Sequence, residues 1–370
     1  MNRTVKCLVL GGGICIILLI LFLVFTETFG AEPNPTGNPI GGGTGYTRII
    51  SETDADVTYS VSTRDQLLSA LKSAQPGEVV FVQGSSVIDM TGTPDTVIPD
   101  TVTLASDRGI NGSLGALIQY TYNNNERFGT SLFDVGGNNV RVTGLRLEGE
   151  MLPQDGTGNG EASYMRAIKE QNKAGLEVDN CEIRGWAWSC ITTANSTGTY
   201  IHHNYLHHNQ ARGEGYGADI YGGDMLVEAN IFNYNRHDIA AGGYPGESYE
   251  ARYNLVLEGG NAIGGHHFDV HAYPVPETNE SIAGYEYKIH HNTFRLTSIP
   301  AIGIRAVPQK GVWIDYNRIQ VSSDIFPVFQ RGNYPDGVFC GYGGIYMTHN
   351  FIGTDYSDPV FYPEGPIVQL

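Results

Sequence analysis

Ile201-His-His-Asn-Tyr-Leu206 returns as Val227-Glu-Ala-Asn-Ile-Phe232, Ala251-Arg-Tyr-Asn-Leu-Val256, Ile289-His-His-Asn-Thr-Phe294, Ile314-Asp-Tyr-Asn-Arg-Ile319 and Met347-Thr-His-Asn-Phe-Ile352. Looser copies come earlier, as Val142-Thr-Gly-Leu-Arg-Leu147 and Val178-Asp-Asn-Cys-Glu-Ile183. The fourth positions fall at 145, 181, 204, 230, 254, 292, 317 and 350, and four of the intervals are 23 to 26 residues. Recurrence on this scale describes a solenoid, in which each unit covers its apolar face only with its neighbours. Helical repeats would space apolar residues by three and four over a dozen positions. Here Val, Ile and Phe fall two apart in short runs broken by Gly and Asn, the pattern of strands. Each coil is expected to be several short strands stacked in parallel on the next, with the longer intervals one coil plus an insertion.

The start of the chain fits the same plan. Residues 62–75, Ser-Thr-Arg-Asp-Gln-Leu-Leu-Ser-Ala-Leu-Lys-Ser-Ala-Gln, form an amphipathic helix with Thr63 and Gln66 spaced as a capping box. Pro76-Gly77 then leads into the strand-like runs 78–84 and 86–90. Over about residues 60–352 the repeat resembles that of right-handed parallel β-helix proteins of the pectate-lyase-like superfamily. The resemblance implies an all-β chain: a single right-handed parallel β-helix over residues 50–370 whose N-terminal helix caps the open core and blocks edge pairing. It does not carry a pectate lyase mechanism, because the chain has no Arg-x-Pro-Arg-x-Arg segment and no Trp-Ile-Asp-His segment. Trp313-Ile-Asp-Tyr316 is the nearest echo.

A formal charge of -17 in 370 residues argues against nucleic acid, whose phosphates would be repelled. For the same reason an acidic polysaccharide would need local Arg or Lys, or a bound cation. Arg3 and Lys6 precede an uncharged apolar run from Cys7 to Phe25, so residues 1–31 are expected to be a signal peptide or an N-terminal membrane anchor. That makes the protein secreted or extracellular, touching a membrane only through this segment. Residues 32–49 look like a Pro/Gly tether without a pattern for burial, and the whole is expected to be a monomer. Only Cys181, Cys190 and Cys340 follow the apolar run, which allows at most one disulfide. Asn111, Asn195 and Asn279 open possible glycosylation tripeptides.

Two columns emerge when the coils are aligned. Asn204, Asn230, Asn254, Asn292, Asn317 and Asn350 are expected to stack as a structural amide ladder, with the rings before them at 203, 253, 291, 316 and 349 stacking outside. The second column lies on the strands Asp219-Ile-Tyr221, Asp238-Ile-Ala240 and Asp269-Val-His271. If each central Ile or Val points inward, then Asp219, Asp238 and Asp269 face outward on successive coils about 4.8 Å apart. Like charges stacked this way oppose folding, which marks the column as a site. Around it fall Tyr221, Arg236, His237 and His271 as catalytic candidates, and Lys169, Arg305, Tyr216, His266, Tyr244 and Tyr273 as substrate-binding candidates. Insertions after Asn254 and over about 150–166 could wall a groove.

Three chemistries use these residues. In a polysaccharide lyase, the aspartates would hold Ca²⁺, Arg236 or Arg305 would neutralise a substrate carboxylate, and His271, His237 or Tyr221 would remove the neighbouring proton. In a glycoside hydrolase, two of the aspartates would split the acid and base roles. In a cell-surface adhesion protein, the tyrosines would stack on sugar without chemistry. The resemblance favours elimination on an extracellular polysaccharide, and replacing Asp238 or Asp269 by Asn is expected to abolish depolymerisation with thermal unfolding nearly unchanged.

Overall fold

The computed structural model describes residues 33–121, 129–150, 165–211, 213–259, 265–277, 280–297, 299–321, 327–330, 343–353, 360–361 and 365–366. The 1–31 segment, Cys340, Arg212, Asn279 and nearly all of the 150–166 insertion lie outside these residues. Among the described residues, no helix is long and apolar enough to cross a membrane.

Short strands stack in parallel, coil upon coil, into a right-handed parallel β-helix. One face carries Arg166–Gln171, the first part of Ser189–His202, the first part of Tyr216–Glu228, His237–Ala241, Phe268–Val270, Ile302–Ile304 and Val328–Gln330. A second face carries Arg141–Thr143, Glu177–Asp179, the ends of the two long strands, Ser248–Arg252, Glu286–His290, Gly311–Asp315 and Ile345–Thr348. The third face is an eleven-stranded sheet of mostly two- and three-residue strands, among them Glu182–Arg184, Tyr205–His207 and Ile231–Asn233. Inward rows of Ile, Val, Leu and Phe form one continuous core from Val61 to Ile352. The helix Arg64–Ser73 closes one end by burying Leu67, Ala70 and Leu71. Thr63 caps it by accepting from the Gln66 amide, while Gln66 Oε1 accepts from the Ser62 amide rather than from that of Thr63.

The amide ladder explains how a coil turns from the second face to the third. Asn204 donates to the Asn230 side chain at 3.0 Å, Asn230 to Asn254 at 3.1 Å, Asn254 to Asn292 at 2.9 Å, Asn292 to Asn317 at 3.0 Å and Asn317 to Asn350 at 3.0 Å. The amide groups also bond the backbone of the coil before, as in Asn254 Nδ2 to the Val227 carbonyl at 2.9 Å. A buried amide has two donors and an acceptor to satisfy, and the stack satisfies them all. The residue before each Asn sits in the left-handed region, at φ 53° for His203, 55° for Tyr253 and 56° for His291. Such backbone is costly outside Gly, and the ladder offsets the cost. Outside it the rings stack as expected, Tyr316 on His349 at 4.6 Å and 7°. A second, shorter ladder, Asn209 to Asn235 at 2.7 Å, turns the third face toward the first.

Residues 33–49, expected to be a bare tether, lie instead along the barrel. Gly41 donates to the Ala229 carbonyl at 2.8 Å, Gly43 to Asn180 Oδ1 at 2.7 Å, and the buried Tyr46 hydroxyl to Asp179 Oδ2 at 2.7 Å. Glycine serves here because the segment runs hard against the coil: a Cβ on Gly42 would stand 2.4 Å from the His203 carbonyl oxygen. Cys181 and Cys190 are both buried free thiols.

One buried acid makes stability depend on pH. Glu247 accepts from the amides of Gly222 and Gly243 at 2.7 Å each and from the Tyr287 hydroxyl at 3.0 Å, yet burial outweighs these bonds and pushes its carboxyl up to about 7. The folded chain therefore holds this proton more tightly than the unfolded chain does. Its contribution is fully present below pH 4.5 and fades as pH rises through 7, a loss on the order of 3 kcal/mol. Denaturant unfolding at pH 5 and pH 8 should show the loss in the parent, and the Glu247→Gln variant should show a pH difference smaller by about that amount.

Candidate functional site

Strand register on the first face decides which side chains meet. Asp219 pairs with Ala240, Ala240 with Asp269 and Asp269 with Gly303, forming one outward row with Lys169 and Thr192 before them. Two residues on, Tyr221, Gly242, His271 and Arg305 form the next outward row. Asp219 and Asp269 thus share a row but stand two coils, roughly 9.6 Å, apart.

Asp238 is not in that row. Ile239 pairs with Ala218, not with Ile220, so the expected alignment slips by two residues. Asp238 falls at the corner where the strand begins, level with Gly217, whose added Cβ would meet the core ring of Phe232 at 2.9 Å. Its carboxylate accepts from Asn235 Nδ2 at 2.8 Å, ending the short ladder, and lies 2.6 Å from His267 Nδ1. Asp238 is a structural group facing the core.

The other two aspartates face outward but are covered. Asp219 is 1 % exposed beneath Trp188, whose Nε1 donates to Oδ2 at 3.0 Å; the Arg166 guanidinium lies 3.5 Å over the Trp188 ring and donates to Thr192 at 2.9 Å. Burial raises the Asp219 carboxyl against the opposing Arg166 charge. Lys169 pairs with Asp134 at 3.6 Å.

Asp269, 0 % exposed, organises the densest cluster. Arg305 holds it with two parallel bonds, Nε to Oδ1 at 2.9 Å and Nη2 to Oδ2 at 2.8 Å. His271 Nε2 is 2.6 Å from Oδ2, His266 Nε2 is 3.0 Å from Oδ1, and His237 Nε2 is 3.5 Å from Oδ2. Burial alone would raise this carboxyl; His271 above all, with His237 and His266, holds it well below the usual carboxylate range. His266 is itself buried, stacked on Phe329 at 4.7 Å and seated over Gly303, where a Cβ would collide with its ring at 1.7 Å. Burial pushes its imidazole down to about 4.

A cleft of about 270 Å³ opens beside the cluster, lined by Glu214, Tyr216, Tyr221, Ala240, Gly242 and His271 among others. It exists because the middle coil carries Ala240 and Gly242 where its neighbours carry Asp219 and Asp269, Tyr221 and His271. Tyr221 of this lining meets Tyr244 edge to face at 6.2 Å, and Tyr244 packs on Tyr273 at 4.5 Å. Tyr216 stacks on His237 at 5.5 Å and 16°. Glu214 also lines the cleft, its carboxyl raised by burial and further by the Asp219 charge, against a hydrogen bond from Tyr216. Arg236 donates to the Gly213 carbonyl at 2.8 Å and so braces this loop.

The expected calcium cage of three aspartates is not formed. Ca²⁺ takes six to eight oxygens, whereas Asp238 faces the core, Trp188 covers Asp219, and Asp269 is surrounded by three imidazoles and a guanidinium. A second histidine–carboxylate group, Glu177, Asp179 and His202, is saturated by Arg48, Arg141 and Tyr46 and ties the N-terminal segment down. Sequence reasoning missed Glu214, Trp188, Arg166 and the small pair Ala240 and Gly242; Glu214 sits in a glycine-rich stretch, 213–217, that runs into the strand Tyr216–Glu228.

No protein-family model matches the chain, and no curated protein matches it by sequence. Among solved structures, the family 28 exopolygalacturonase of Yersinia enterocolitica superposes with a TM-score of 0.52 at 11% identity, over 78% of this chain and 61% of that one. The chain has the right-handed parallel β-helix fold. The Dettilon tailspike protein matches this β-helix with a TM-score of 0.49 at 12% identity, over 78% of this chain and 57% of that one. The β-helix spans less than two thirds of either protein's length.

Proposed function

We propose that the protein is a secreted or cell-surface enzyme that cleaves a uronate-containing polysaccharide by β-elimination. The observation that carries this reading is the pairing of a cation and a base on one buried carboxylate: Asp269 fixes both Arg305 and His271, and His271 lines the cleft. With Nε2 turned to Asp269, Nδ1 is the His271 nitrogen left to take a proton, and the side chain is 36% exposed where it lines the cleft. The Nη1 edge of Arg305 is turned away from Asp269, where it can take a substrate carboxylate.

The chemistry then balances. Arg305 neutralises the uronate carboxylate, which acidifies the adjacent C–H; His271 Nδ1 takes that proton; the electron pair forms the C=C bond as the glycosidic C–O bond breaks; and Glu214, whose protonated form is favoured by burial, supplies a proton to the leaving oxygen. The rings of Tyr221, Tyr244 and Tyr273 offer faces for sugar stacking. Hydrolysis by paired aspartates is less favoured, because Asp219 and Asp269 are 1 % and 0 % exposed and cannot reach a water or a glycosidic oxygen in the cleft. The shared fold with an exopolygalacturonase is compatible with a polysaccharide substrate but does not choose the reaction.

The test is a panel of polygalacturonate, alginate and a neutral glucan, followed by ultraviolet absorbance and by reducing ends. Elimination raises both on a polyuronate. Reducing ends without absorbance would mean hydrolysis, and retained binding without either would leave an adhesion protein.

A further inference from the structure

We infer that the Asp269 cluster is also a binding site for a divalent transition-metal ion of the zinc class, held by His237 Nε2, Asp269 Oδ2 and His271 Nε2, and that the ion switches elimination off. The site stands on geometry alone; only its inhibitory effect rests on His271 being the base. The three donor atoms lie within 4.8 Å of one another.

His237 supplies the independent sign. It is fully buried, and its Nδ1 lies against the His266 carbonyl, a contact that an N–H makes favourable; the His266 amide, 3.4 Å from the same nitrogen, is the weaker contact. The proton therefore belongs on Nδ1, which leaves the Nε2 lone pair pointing at Asp269 Oδ2 across 3.5 Å without a hydrogen bond. Two electron pairs facing each other in a water-free site repel unless something positive lies between them. A backbone carbonyl that fixes the tautomer of a ligating imidazole is the usual support of a metal-binding histidine.

The spacing fits. A tetrahedral ion with bonds of about 2.0–2.1 Å sets its ligand atoms roughly 3.3 Å apart. His237 and Asp269 already stand 3.5 Å apart; His271, now 2.6 Å from Oδ2, has to draw back from it by roughly 0.7 Å, and its Nε2 stands within 4.8 Å of that of His237. Two imidazoles and one carboxylate suit zinc, copper or nickel and not calcium. Arg305 keeps its own lone pairs on Asp269, since a carboxylate offers about four. What the ion displaces is the proton between His271 and Asp269. On a neutral ring that proton moves from Nε2 to Nδ1, the nitrogen that elimination needs bare, so metal binding and base function exclude each other.

Isothermal titration of the purified protein with Zn²⁺ should show one site per chain, weakened at least tenfold in His237→Ala and in His271→Ala and unchanged in His202→Ala. Co²⁺ as the probe should give the visible bands of a tetrahedral nitrogen–oxygen site, lost in the same two variants. His271 is partly exposed, so its variant folds even if removal of the buried His237 unsettles the strand. Zn²⁺ should suppress unsaturated-product formation, and a chelator should restore it. Absence of binding, or binding that His271→Ala leaves intact, overturns the site. Binding as described in a protein inactive on every polyuronate would retain the site and remove the elimination reading.

Discussion

His271→Ala lowers the rate of unsaturated-product formation by about 10²–10⁴-fold, the range for loss of a positioned base, while the unfolding midpoint moves by no more than a few degrees. The separation follows from position. The His271 side chain is 36% exposed at the cleft, and it is held by Asp269, which keeps Arg305 when the ring is gone. A parallel loss of stability would mean that the ring is structural. Retained activity would give the base to Tyr221, the other titratable side chain of the second outward row; burial holds that phenol well above its ordinary value, which disfavours it as a base at neutral pH.

Asp269→Asn should lose both activity and stability, the latter by about 3–5 kcal/mol, because the part-buried Arg305 guanidinium and the imidazoles around it lose the buried carboxylate that they all contact. Arg305 would face an amide that can accept at one atom only, and His271 would lose the acceptor that fixes its tautomer. Urea unfolding monitored by circular dichroism measures the loss. This reverses the expectation from sequence alone, in which Asn at Asp238 or Asp269 left unfolding nearly unchanged. That expectation assumed solvated carboxylates, whereas both are sealed: Asp269 under three imidazoles and Arg305, Asp238 between Asn235 and His267. Asp238→Asn should likewise act on stability, with elimination reduced only through the fold.

The winding was legible because it is periodic. An Asn that recurs every two dozen residues beside inward Ile, Val and Phe can be satisfied in few ways other than by stacking on itself, and it does. The site was only half legible, for reasons that lie in particular residues. Asp219 and Asp269 share a row because Ile220 and Val270 both point inward, as alternation requires. Asp238 was misplaced because Ile239 looks the same as Ile220 in a local pattern, while the corner set by Asn235 shifts the coil by two residues. A two-residue slip preserves alternation, so no hydrophobic pattern could reveal it. Cover by Trp188 and Arg166 comes from neighbouring coils, and the cleft comes from what is missing at Ala240 and Gly242. Neither leaves a mark in a one-dimensional count of charged residues. The segment 33–49 was misjudged for a related reason: its glycines permit close contact with the barrel rather than freedom from it.

The central claim is that Asp269 presents Arg305 and His271 together to one uronate. A crystal structure of the His271→Ala variant with a polyuronate oligomer tests it most directly. The account predicts a sugar carboxylate on the Arg305 guanidinium, the adjacent ring carbon turned to the space vacated by the imidazole, and a neighbouring sugar against Tyr221 or Tyr244. An oligomer seated on another face, or in the cleft with its carboxylates turned away from Arg305, would contradict it.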